Sequence, residues 1–153
     1  VQRLAPPRHT RASPSSIGAR RVRRVLLAED DDDLRTVLSW CLRDEGYEVT
    51  PCASALELVD QLEPYLSPAA ERPYQLIVAN VRNPDGLGLG TLETAACAEG
   101  FPPLILIRAF GPEDREQQAG RLGFTTLDGQ LLEVEELVAV ILRLVPIPVQ
   151  VSR

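Results

Sequence analysis

The chain has 153 residues, 44% hydrophobic and 25% charged, which suits a single domain with a buried core. Seven of its 16 basic residues fall in the first 24 positions, which hold no acid; the remaining nine face 22 acids, a net charge of −13 that argues against nucleic-acid binding by the folded part. No apolar run approaches the roughly 20 residues of a membrane span.

The opening segment, 1–20, is rich in Arg, Pro and Ser without apolar periodicity and reads as a flexible leader. It lacks the apolar stretch of a signal peptide, so the expected location is cytoplasmic, with no membrane partner. The single histidine, His9, lies in this leader, which nearly excludes histidine-based acid/base or metal chemistry. Cys41, Cys52 and Cys97 form no C-x-x-C pair and read as small buried apolar residues.

A domain is predicted over 21–146, followed by a short tail, 147–153. "RRVRRVLLAED" supplies a first buried strand. Asp31 to Asp33 then offer an N-cap and first-turn negative charge to a helix with Leu34, Val37, Leu38, Cys41 and Leu42 on one face, closed by Gly46. "YEVTPCA" is a second strand. Ser54 and Glu57 form a capping box for a helix through Leu56, Val59 and Leu62, which Pro64 is expected to stop.

"YQLIVAN" is the third strand. It ends on Asn80, just before a loop holding Pro84, Asp85 and Gly86, and a Gly-interrupted helix follows. "PPLILIRAF" is the fourth strand, "GPEDREQQAGRLG" the fourth helix, "FTTLD" a short fifth strand and "LEVEELVAVILRLV" the last helix. Strands apolar on both faces, alternating with helices, imply a parallel sheet covered on both sides. In such sheets polar residues at the carboxyl ends of strands form the site. Glu29 and Asp30, Asn80, and Arg108 occupy those ends.

At these residues residues 22–145 resemble the receiver domain of two-component response regulators, the CheY-like superfamily. "VLLAEDDDDLR" is similar to the receiver's first strand and acidic pair, "LIVANVRNPDGL" to its phosphoacceptor strand, and "LILIRAFGPEDREQQAGRLGF" to its fourth strand and helix. The resemblance implies a doubly wound, flavodoxin-like (βα)5 fold with strand order 2-1-3-4-5. It also implies a bacterial signalling role of two-component or phosphorelay type.

In that family an aspartate accepts a phosphoryl group beside Mg²⁺, and a Thr or Ser with a Lys reads it. Here the acidic pair is kept as Glu29 and Asp30, but the phosphoacceptor position is Asn80, the hydroxyl position Arg108 and the lysine position Gln130, with Leu131 at the usual proline. No lysine occurs anywhere in the chain. An amide oxygen is a poor nucleophile for acyl phosphate formation, and losing one of three carboxylates leaves at most a weak Mg²⁺ site on Glu29 and Asp30.

The resulting expectation is a pseudo-receiver: a non-enzymatic, phosphorylation-independent module that acts through a protein partner, with no required cofactor. Arg108 is expected to stand in for the metal by pairing with Glu29 or Asp30, with Asn80 bonded into the same cluster. The last helix, apolar around much of its circumference, is expected to offer Leu137, Ile141 and Leu142 to a partner; the resemblance to receivers implies that a homodimer would form through the fourth and fifth helices. Trp40 is a partly exposed aromatic or an anchor for a partner. The alternative class is a Mg²⁺-dependent phosphoryl-accepting receiver or phosphatase that uses a displaced carboxylate such as Asp85.

Overall fold

A computed structural model describes residues 22–67, 71–80, 87–108, 125–129 and 132–148. The elements run β1 (Arg24–Glu29), α1 (Asp32–Asp44), β2 (Glu48–Cys52), α2 (Ala55–Leu66), β3 (Leu76–Asn80), α3 (Leu87–Ala96), β4 (Leu104–Arg108), β5 (Thr125–Asp128) and α4 (Val134–Leu144). The strands form one parallel sheet in the order β2-β1-β3-β4-β5, the doubly wound receiver topology expected above. The fourth predicted helix, 111–123, the leader, 1–20, and most of the tail lie outside the described residues.

Side-chain alternation along the strands builds two cores, one on each face of the sheet. Val25, Leu27, Val78, Ile105 and Ile107 pack against α1 and α4 through Leu38, Leu42, Leu137 and Ile141. Leu26, Ala28, Ile77, Ala79 and Leu106 pack against α2 and α3 through Leu58, Leu62, Tyr65, Leu92 and Ala95. Val25 to Ala28 are wholly buried, which explains why β1 reads as an unbroken apolar run. Pro51 sits on β2, an edge strand, where a residue without an N–H is tolerated.

Helix ends follow the local signals. Asp31 caps α1, its Oδ1 accepting from the Leu34 N–H at 2.9 Å. At the other end Gly46, with φ of 106°, donates to the Arg43 carbonyl while Tyr47 donates to that of Leu42, a reciprocal closure that needs a left-handed residue in between. Ser54 caps α2 by accepting from the Glu57 N–H, and the Glu57 carboxylate reaches back to the Ala53 N–H at 2.7 Å, one residue earlier than a standard box.

Several expectations are corrected. Pro64 does not stop α2, which continues to Leu66; its carbonyl is taken by the Arg72 guanidinium at 2.9 Å, and Tyr65 in the following position is buried. Tyr65 anchors that extension, because its hydroxyl both accepts from the Tyr74 N–H and donates to the Tyr74 carbonyl. Leu56 is exposed, and Leu58 takes the core position instead. Val37 is also exposed, since α1 buries the narrower Leu38, Ser39 and Leu42 stripe.

Of the three cysteines only Cys52 is buried, its thiol pushed up to about 11 chiefly by burial and further by Glu57. Cys97 is exposed, with its thiol turned to the Glu93 carbonyl. Leu137 and Ile141 are core residues at 1% and 0% exposure, and Leu142 packs partly buried against the same core. Leu137 and Ile141 are therefore not a free surface: the face of α4 that carries them is used within the domain, against the sheet and α1.

The end of α4 is tied down by Tyr47, whose buried hydroxyl donates to the Val145 carbonyl at 2.5 Å across 98 residues of sequence. Tyr47→Phe leaves that buried acceptor unmatched and is expected to cost about 1–3 kcal/mol in urea denaturation. A midpoint equal to that of the parent would show that this bond does not hold the C-terminal helix.

Candidate functional site

Strand order reverses between β1 and β3, so the crevice at their carboxyl ends lies at the topological switch point. Parallel pairing sets Glu29 directly opposite Asn80 in register. Both strands approach this end as buried apolar segments, so the first polar side chains they deliver meet side by side.

Glu29 is 1% exposed, and each of its carboxylate oxygens has a donor. Oε1 accepts from the Asp31 N–H at 3.1 Å and Oε2 from Asn80 Nδ2 at 2.5 Å. Burial nonetheless raises the Glu29 carboxyl above its ordinary 4.5; the Asp31 and Asn80 hydrogen bonds oppose the rise, and the charge of Asp30 and its hydrogen bond add to it.

The acidic run after β1 divides into distinct jobs. Asp31 caps α1, Asp32 accepts from Arg35 Nη2 at 2.5 Å, and Asp33 is exposed in the first turn. Arg35 also donates from Nη1 to the Glu29 main-chain carbonyl at 2.9 Å. It thereby clamps the strand end to the first turn of the helix that follows.

Asn80 thus joins Glu29 as expected from the sequence, while Arg35 is a cation the sequence reading missed. Its signal was an Asp32/Arg35 pair at i,i+3, a spacing that puts both on one helix face. Arg108 ends β4, opposite Asp128 in register, but its side chain lies outside the described residues, as do Gln130, Leu131 and Asp85.

A hard divalent cation needs carboxylate or carbonyl oxygens with free lone pairs. At this crevice the Glu29 oxygens are directed at N–H donors, and Asn80 turns its N–H edge, not its oxygen, toward Glu29. With one N–H donor already on each Glu29 oxygen, this pair offers a hard cation such as the Mg²⁺ of the receiver family fewer open lone pairs than two free carboxylates would.

No family model matches the chain. Among curated relatives it is 28% identical over 124 residues to the response regulator protein PilR of Pseudomonas aeruginosa, covering 79% of this chain and 26% of that protein. It is 29% identical over 109 residues to the transcriptional regulatory protein PdtaR of Mycobacterium tuberculosis, covering 67% of this chain and 48% of that one. The chain thus spans between about a quarter and a half of the length of these relatives. Among solved structures, the non-phosphorylated HemR receiver domain from Leptospira biflexa superposes with a TM-score of 0.63 at 24% identity, over 86% of this chain and 98% of that one.

Because Glu29 is raised when folded, the native state holds more protons than the unfolded one above pH 4.5, so this group makes stability fall as pH rises through that window. Glu29→Gln removes the titration. Relative to the parent, the variant should gain stability between pH 4.5 and neutrality, read by denaturant unfolding at both ends of that range. Parallel pH profiles for the two proteins would show that Glu29 does not titrate abnormally.

Proposed function

From a chain that carries a receiver domain of the CheY-like response-regulator kind, we propose a two-component signalling module that works without aspartyl phosphorylation, by binding a protein partner. The observation that carries this reading is the amide of Asn80, at the position where a receiver presents its nucleophile, donating to Glu29. A carboxylate attacks phosphorus through an anionic oxygen. Asn80 has a neutral amide, and its nitrogen is committed to a buried neighbour.

The same hydrogen bond supports a crevice held in one state. Satisfying Glu29 from within the protein removes the demand for a metal, so the proposed module needs no cofactor and catalyses no reaction. In this reading it resides in the cytoplasm; no described helix is long and apolar enough to cross a membrane.

Partner contact is proposed through α1 and not through Leu137 and Ile141, which are core. Val37 and Trp40 lie one turn apart on its outer face, Trp40 at 67% exposure. A large aromatic so far from burial is the type of residue that anchors protein interfaces. Dimerisation through α4 has less support, since among its large apolar residues only Leu144 is well exposed.

Incubation with acetyl phosphate or phosphoramidate and Mg²⁺, followed by intact-mass spectrometry under conditions that preserve acyl phosphates, tests the central point. The expected mass is unchanged. A gain of one phosphoryl group on any crevice carboxylate would overturn the proposal in favour of a receiver with a displaced acceptor.

A further inference from the structure

At the opposite end of the sheet from Asn80, a cavity of about 430 Å³ opens between the start of β1, the segments leading into β3 and β4, and the end of α4. Its volume lies in the range of small-molecule sites. Arg23, Tyr74, Pro102, Pro103, Leu144 and Pro146 line it, and Arg23 is the one charged residue in the lining.

Arg23 is half-buried, and its Nε is shut off from water with no hydrogen-bond partner. Its guanidinium makes no hydrogen bond or ion pair among the described residues. The arginine next to it, Arg24, takes Glu48 at 3.5 Å. Neither residues 1–24 nor residues 146–153 contain an acidic side chain. The Nε of Arg23 is thus a closed-off donor with no acceptor among the described residues, and an anion entering the cavity would supply one.

The remaining wall narrows the class of ligand. Three prolines contribute no N–H, the Tyr74 hydroxyl is committed to Gln61 Oε1 at 2.5 Å, and Gln75 adds one neutral side-chain amide, so Arg23 is the one charged donor for an anion and a multiply charged phosphate is poorly matched. One planar guanidinium matches one carboxylate. The proline rings, Leu144 and Tyr74 match an apolar body attached to it.

We propose that this cavity is a binding site for a small organic carboxylate with an apolar or aromatic body, held by Arg23. The proposal is independent of what happens at Asn80.

Benzoate is a suitable probe, followed by amide chemical shifts of the full chain. Shifts should saturate and centre on Gln75, Gly100 and Val145, which carry amides in the cavity wall. Benzamide, of the same shape without the charge, should bind more weakly, inorganic phosphate should not compete, and Arg23→Gln should weaken benzoate by about tenfold or more. Benzamide binding as tightly as benzoate, phosphate displacing it, undiminished binding by Arg23→Gln, or shifts that fail to saturate or centre elsewhere would each overturn the assignment. Should Arg23→Gln fail to fold, the benzoate and benzamide comparison on the parent still decides it.

Discussion

The hydrogen bond from Asn80 to Glu29 is the constraint on which the functional end of this domain depends. A carboxylate at 1% exposure is tolerated only if its oxygens are satisfied, because moving an unpaired charge out of water costs several kcal/mol. Register places Asn80 beside Glu29 on the adjacent strand, where neighbouring chains run about 4.8 Å apart. An aspartate there would set a second negative charge against Glu29, and the crevice would need a cation to hold both. An amide gives a donor in place of a charge.

That local exchange is consistent with the rest of the crevice. Arg35 spends its guanidinium on the Glu29 carbonyl and Asp32, joining the end of β1 to the start of α1. Asp31 donates its N–H to Glu29 while its own carboxylate caps the helix. The acidic run is thus held by main-chain donors and one arginine, an arrangement suited to a fixed shape more than to a metal cage. Behind it, two apolar cores on either face of the sheet hold β1 and β3 in the register that brings Glu29 and Asn80 together.

Much of this was legible from the chain. Buried parallel strands announce themselves as unbroken apolar runs, and Asp31, Gly46 and Ser54 marked helix ends because capping needs those residue types. Errors arose where packing overrides local preference. Pro64 continues α2 because Tyr65 gains a buried, doubly bonded place just beyond it. Leu56 and Val37 face water because each helix buries only a narrow stripe. The breadth of apolar residues on α4 reads as a partner surface in sequence, yet Leu137 and Ile141 are consumed by the sheet and by α1, which sequence spacing cannot reveal. Asn80 was found because its position ends a strand; of Arg35's two contacts, the i,i+3 pair with Asp32 is legible in the sequence, whereas the bond to the Glu29 main-chain carbonyl leaves no pattern in side-chain identities.

The central claim is that an amide donor replaces the metal at Glu29. Calorimetric titration of Mg²⁺ into the parent and into Asn80→Asp tests it most directly, because the substitution restores a carboxylate and removes the donor in one step. The account predicts no saturable binding by the parent and a measurable gain in affinity by the variant. A parent that binds Mg²⁺ as tightly as Asn80→Asp would contradict it.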